Sequence, residues 1–298
     1  MPSILEIFRR ARRVGPVPRH RPLQRQHVRG DEQGAQHESD GRAHYYAEEK
    51  PSFIAHAGED QPWFELAQND RLDSFEKLLG PSRRDILDIG CGPGFFLKTA
   101  IARGWNAHGV EPSRQAAAHA RGLGATVTEG FFGAGLAPSL GCFDAVNLTN
   151  VLEHVPDPAA ILEAAVSLLS PGGVLCVGVP NDFSPLQIAA RGAAQTGDWW
   201  VAPPHHLNYF DFESLTALVE GLGLTVKDRT TSFPMEAFLM MGDNYIADPA
   251  LGRTCHNRRK RFDFALEAAG MKEMRRDFYR ALAKLGIGRE AVVIAVKP

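Results

Sequence analysis

The stretch Ile86-Leu87-Asp88-Ile89-Gly90-Cys91-Gly92-Pro93-Gly94-Phe95-Phe96-Leu97 constrains the fold of this chain more than any other. Ile86 to Ile89 reads as a buried strand, the three glycines as a tight turn, and Phe95 to Arg103 as the helix that follows. A strand, turn and helix in that order present unpaired backbone N–H groups where a ligand can approach closely. The acid at Asp88 would be costly inside the strand without hydrogen-bond donors, so it belongs near the strand's carboxyl end, ordering the turn or meeting a ligand. The implied feature is a small-molecule cofactor site on an open α/β sheet.

Dinucleotide sites share this arrangement, but their third glycine falls one place later, where this chain has Phe95. That spacing counts against a nicotinamide dinucleotide. No GxxxxGK[ST] stretch starts a nucleotide-triphosphate loop.

Three further segments follow in order: Gly109-Val110-Glu111-Pro112-Ser113; Phe143-Asp144-Ala145-Val146 running into Asn150-Val151-Leu152-Glu153-His154-Val155-Pro156-Asp157-Pro158; and Leu169-Ser170-Pro171-Gly172-Gly173-Val174-Leu175. With Asp88 to Gly94, these resemble the ordered motifs of class I S-adenosylmethionine-dependent methyltransferases over about Asp88 to Leu224. His206-Leu207-Asn208-Tyr209-Phe210 resembles the small-molecule branch. The resemblance implies a Rossmann-like seven-stranded sheet whose final strand runs antiparallel between its neighbours. It also implies S-adenosylmethionine as cofactor and methyl transfer to a small-molecule acceptor, at oxygen or nitrogen. The cofactor residues it marks are Asp88, Gly90, Cys91, Gly92, Gly94, Glu111, Phe131 and Asn150. Glu111, at the end of a second strand, has two acceptor oxygens suited to adjacent ribose hydroxyls. Phe131 is placed to pack on adenine or to fill the sheet margin, and Asn150 to meet the methionine portion.

On the acceptor side, His154 beside Glu153 is a candidate base, with His206 as a second; the Glu153–His154 pair could instead brace the next helix. Trp199, Trp200, His205, Asn208, Tyr209 and Phe210 supply planar and hydrogen-bonding groups suited to a mixed polar and apolar acceptor. His205-His206 admits a metal, but no defined acid and histidine constellation accompanies it in the sequence, so no metal is assigned. Two other readings stay open: an NAD-dependent oxidoreductase, and a noncatalytic cofactor-binding scaffold.

The balance of 33 basic and 35 acidic residues, a formal charge of -2, gives no reason to expect a nucleic-acid partner. Apolar runs are strand-sized, so no stable membrane insertion and a cytoplasmic setting are expected. The cysteines at 91, 142, 176 and 255 lack zinc-like spacing and read as reduced core residues.

The organisation expected is a basic and polar tail over 1–41, a helical cap over 42–80, the α/β core over 81–231, a helical insertion over 232–288 and a final strand over 289–298. Within the tail, Ile4, Leu5, Phe8, Ala11 and Val14 suit one face of a short helix. Phe233, Met235, Phe238, Leu239, Met240, Met241 and Tyr245 read as the insertion's own core ahead of a pocket lining. Arg258 to Arg261 reads as a solvated face ahead of an anion site, and the insertion could cover substrate or build a homodimer surface.

Overall fold

The computed structural model describes residues 51–203 and 205–298, with side chains from Glu59 onward. They belong to the unit Ala43–Pro298. The expected tail and its short helix, and the aromatics Tyr45, Tyr46 and the Phe53 side chain, lie outside the described residues.

Helix α1 (Pro51–Leu79) precedes strand β1 (Asp85–Ile89), α2 (Phe95–Ala102), β2 (Asn106–Glu111), α3 (Arg114–Gly122) and β3 (Thr126–Glu129). There follow β4 (Phe143–Thr149), α4 (Pro158–Ser167), β5 (Leu169–Pro180), α5 (Pro185–Ala194), α6 (Phe212–Gly221) and β6 (Thr225–Thr230). Helices α7 (Glu236–Met240), α8 (Pro249–Ala268) and α9 (Lys272–Lys284) separate β6 from the last strand, β7 (Glu290–Val296). The seven strands pair in the order β3-β2-β1-β4-β5-β7-β6. β7 runs antiparallel to both neighbours, and the other pairs are parallel, as the resemblance implied.

Alternation along the strands builds the core on both faces of the sheet. Leu87, Val146, Leu175 and Val293 join one buried cluster with Leu162 of α4 and Leu215 of α6. Their neighbours Ile86, Ala145, Cys176 and Ile294 join another with Leu72 and Phe75 of α1 and Leu97 of α2. Because β1 connects outward to β2 but is flanked on its other side by β4, the strand order reverses there and opens a crevice at the carboxyl ends of β1, β2 and β4.

Three local features depart from what the residues alone suggest. Gly172-Gly173, a turn-forming pair ahead of the apolar run from Val174, lies within β5, where the register against β4 slips between Phe143↔Leu169 and Ala145↔Val174. The segment after β5 forms helix α5, started by a Ser184–Gln187 capping box, ahead of the aromatic and polar cluster at 199–210. Cys142 is exposed, while Cys91, Cys176 and Cys255 are buried and all four are free thiols. Asp211 and Ser214 cap α6 reciprocally at 2.8 and 3.0 Å.

The insertion has its own small core, in which Met235, Phe238 and Cys255 pack with Phe233, Tyr245 and Leu251; Met240 and Met241 are exposed. It is fastened to α1. Trp63 Nε1 donates to Asp263 Oδ2 at 2.7 Å, Tyr279 donates to the other oxygen, and Arg275 and Arg276 reach Asp70 at 2.8 and 2.7 Å. The basic run serves these contacts: Arg259 covers the Trp63 ring and Lys260 reaches Asp60 at 2.6 Å. Among the described residues, no helix is long and apolar enough to cross a membrane.

Candidate active site

The glycine bend turns directly off β1. Gly90, Gly92 and Gly94 have φ of 71°, 53° and 83°, a region costly to side chains. A Cβ on Gly94 would stand 2.4 Å from Ala120 Cβ, so this glycine lets α2 close on α3; one on Gly90 would stand 2.6 Å from Val151 Cγ2. One on Gly92 would meet nothing within 4 Å. The middle of the bend is therefore the face that a ligand can approach.

Two buried carboxylates flank it. Glu111, 2% exposed at the end of β2, accepts from Gly92 N and from Ser113 N, each at 2.9 Å. One residue thus fastens the bend to the start of α3, and each oxygen retains a further lone pair. The backbone carbonyl of Glu111 also accepts from Gly130 N at 3.1 Å, which hangs the exposed Phe131 beside the end of β2.

Asp88 does something different. Its hydrogen bond runs across the sheet, with Asn147 Nδ2 of β4 donating at 2.6 Å, and Arg71 of α1 donates in turn to Asn147 Oδ1 at 3.0 Å and to Thr149 Oγ1 at 2.9 Å. Burial pushes the Asp88 carboxyl up to about 7, against the opposing pull of Asn147 and Arg71. Asp88 is thus a carboxyl that a nearby cationic ligand would ionise at neutral pH. Neither Asn147 nor Arg71 was marked by sequence reasoning. Asn147 left a signal, the lone amide within an apolar strand, whereas Arg71 left none.

Beyond β4 the chain passes Asn150, exposed with φ of 57° and its N–H donating to Gly178 O at 2.8 Å, to Val151 on the bend. A short turn, Leu152–His154, comes next. The 206–210 segment clamps it: Leu207 N donates to Glu153 O at 2.7 Å, and Asn208 Nδ2 donates to the carbonyls of Leu152 and Val155 at 3.0 and 2.7 Å. His154 Nδ1 lies 2.7 Å from the His205 carbonyl, which can only accept, so Nδ1 carries a proton and, in the neutral ring, the lone pair is on Nε2. Nε2 stands 3.7 Å from Glu153 Oε1, and the His154 and His206 ring centroids are 5.0 Å apart. Burial pushes the Glu153 carboxyl up to about 8; burial, with His154, His205 and Arg289 nearby, lowers the His206 imidazole. The fold therefore supplies the acid beside histidines that the sequence left undefined, and it unites His154 with His206.

Fold and site define a class: a seven-stranded α/β protein of the S-adenosylmethionine-dependent methyltransferase type, with its ligand crevice at the strand-order reversal. The family model described as "Methyltransferase domain" matches residues 64–228, and the chain belongs to that family. A ubiquinone biosynthesis O-methyltransferase of Xanthomonas axonopodis pv. citri (strain 306) is 31% identical over 168 residues, covering 53% of this chain and 70% of the relative. One of the same description from Psychrobacter cryohalolentis is 35% identical over 111 residues, covering 35% of this chain but only 43% of the relative. Among solved structures, a SAM dependent methyltransferase from Archaeoglobus fulgidus shares the fold, with a TM-score of 0.50 and 20% identity over 78% of this chain and 94% of that one. This is a class I methyltransferase, and the NAD-dependent oxidoreductase and noncatalytic scaffold readings give way to it.

Proposed function

We propose that this enzyme transfers the methyl group of S-adenosylmethionine to a hydroxyl oxygen of a small, ring-containing molecule. The observation that carries the reading is the junction of the glycine bend with the Leu152–His154 turn, made through Val151. Val151 lies against Gly90 and leads directly into the turn that carries His154, so a ligand seated on the bend would face that turn. The description of the 31% identical relative as an O-methyltransferase supports oxygen as the atom methylated. The aromatic group of Phe183, 46% exposed and edge-on to Trp200 and Tyr209, supports a planar acceptor.

The residues fit the donor. Gly92 leaves room for backbone approach, Glu111 has lone pairs for ribose hydroxyls, Asp88 suits the ammonium of the methionine portion, and Asn150 and Phe131 flank the two ends. Cys91, buried beneath the bend with its thiol facing Gly109, belongs to the floor. When bound, S-adenosylmethionine supplies an electrophilic methyl on a sulfonium. The chain's own part is to hold the acceptor oxygen in line, exclude water, and take the hydroxyl proton, at His154 Nε2 in the metal-free protein.

The test is calorimetric titration with S-adenosylmethionine and S-adenosylhomocysteine, followed by a methyl-labelled screen of hydroxylated and amino-substituted ring compounds with mass identification of products. Saturable donor binding and an O-methylated product are expected. A folded chain that binds neither nucleoside, or that methylates only nitrogen, overturns the proposal.

A further inference from the structure

We propose that Glu153, His154 and His206 form a binding site for a divalent first-row metal ion, with positions left open for the oxygen of the acceptor. A ligand atom from each of the three lies within 4.8 Å of those of the other two. The placement rests on the reading that the acceptor meets this corner, and it changes what the corner does there.

Two imidazoles and one carboxylate make a donor set of borderline softness. Such a set suits zinc, iron(II), cobalt(II) or manganese(II) and leaves coordination positions unfilled. In a tetrahedral zinc site with bonds of 2.0–2.2 Å, ligand atoms stand roughly 3.4 Å apart. The 3.7 Å between His154 Nε2 and Glu153 Oε1 is already near that spacing, and rotamer-scale shifts close the rest.

The orphaned atoms point the same way. Glu153 is 2% exposed, yet its Oε2 has no hydrogen-bond partner, and Nδ1 of His206 is likewise buried and unpartnered. Leaving a carboxylate oxygen buried and unmatched is costly, and an ion between these groups would satisfy both. His154 is already set as metal-binding histidines are: its Nδ1–H is tied to the His205 carbonyl, which fixes the tautomer and aims Nε2 inward. The backbone of Glu153 is in turn held by Leu207 and Asn208, so the carboxylate and the His206 segment are braced against each other.

With the ion in place, His154 is a ligand and no longer the base. The acceptor hydroxyl would bind at an open position, where the cation lowers its pKa and its proton is lost to solvent. The O–CH3 bond then forms as the S–CH3 bond breaks, its electron pair remaining on sulfur. An acceptor with two adjacent oxygens, such as an ortho-dihydroxy ring, would be held best, because it can fill two open positions.

The experiment uses the full chain, stripped with chelator and then titrated with zinc chloride by calorimetry, and separately with cobalt(II) by visible absorption. One zinc per chain with a dissociation constant in the micromolar range or tighter is expected, together with a cobalt spectrum of low-symmetry coordination. H206A and E153Q should each weaken zinc binding at least tenfold while leaving S-adenosylhomocysteine affinity within twofold. H206A alters a half-buried loop residue and serves if E153Q does not fold. Absence of saturable zinc binding in the parent, or binding equally tight in H206A, overturns the metal site. Methylation by chelator-treated protein, measured in the same preparations, reports on the acceptor reading separately: O-methylation in a chain that binds no zinc would leave that reading standing while the metal site falls.

Discussion

Gly92 and Gly94 share a strained backbone region but should fail in opposite ways. For Gly94→Ala, a left-handed conformation costs about 1–2 kcal/mol. A methyl 2.4 Å from Ala120 Cβ and 2.8 Å from Ala120 Cα adds about 1–3 kcal/mol of overpacking, since a helix backbone cannot easily give way. Restricting the unfolded chain returns roughly 0.4–1 kcal/mol. The net loss expected for G94A is about 2–4 kcal/mol. Gly92→Ala meets no atom, so only the backbone cost remains, about 1 kcal/mol net. Its N–H still donates to Glu111, but the new methyl points into the open approach, where a donor nucleoside must come close. Urea unfolding and titration with S-adenosylhomocysteine separate the two effects. G92A should stay folded with affinity reduced at least tenfold. Equal destabilisation of the two variants, or unchanged affinity in G92A, would refute the assignment of the open face.

Other perturbations test the rest of the crevice. Asp88 has a folded pKa raised from 3.8 to about 7, so it favours the folded state most below about pH 4, and that advantage is lost as pH rises toward 7. The unliganded protein should lose up to about 4 kcal/mol across that window relative to D88N, as read by chemical denaturation at a series of pH values. Donor affinity should change in the other sense, rising with pH to about 7 and then levelling, because a cationic ligand requires the ionised carboxylate; a flat profile from pH 5.5 to 8.5 would count against contact with Asp88. In chelator-treated protein, H154A should lower kcat by about 100-fold or more with donor affinity unchanged, and equal turnover at saturating acceptor would reject its role as base. D263A leaves the Trp63 and Tyr279 donors without a partner between α1 and the insertion, for a loss of about 2–4 kcal/mol by urea titration; D263N, which keeps one acceptor, should lose less.

The sheet was legible because its information is local. Strand-length apolar runs, the three glycines after β1 and acids at the ends of β1 and β2 each speak within a dozen residues, and the antiparallel setting of the last strand between its neighbours followed from the family resemblance. The helical insertion was legible for the same reason, as helix-favouring runs interrupting strand alternation. Two features escaped. In β5, Leu169 to Gly173 combines a helix end, a proline and two glycines, which is turn chemistry; only the pairing of Leu169 with Phe143 of β4 and the backbone bonds of Gly172 and Gly173 with Lys297 draw the segment into the ladder. Helix α5 was obscured by its aromatic surroundings, although Ser184-Pro185 and Gln187 are a readable start signal.

The site divides along the same line. Asp88, Glu111 and the glycines declare themselves because a charged or conformationally free residue at a strand end has few structural reasons to be there. Their electrostatics do not, since the state of Asp88 depends on Arg71 and Asn147, which lie 76 residues apart and meet only when α1 packs over β4. Periodicity can say that α1 has an apolar face, but not that an arginine on its margin reaches an amide in the sheet. The acceptor corner shows the limit more sharply. The 206–210 segment was visible as a cluster of polar and planar groups, and Glu153-His154 as an acid and base pair, yet each was ambiguous alone. Asn208 resolves the ambiguity by spending its amide on the carbonyls of Leu152 and Val155, bringing His206 to within 5.0 Å of the His154 ring. What the corner can do chemically, abstract a proton or hold an ion, therefore depends on a bond between two loops that no single stretch of sequence contains. Asn208→Ala should accordingly disturb His154 and His206 together while sparing the donor side.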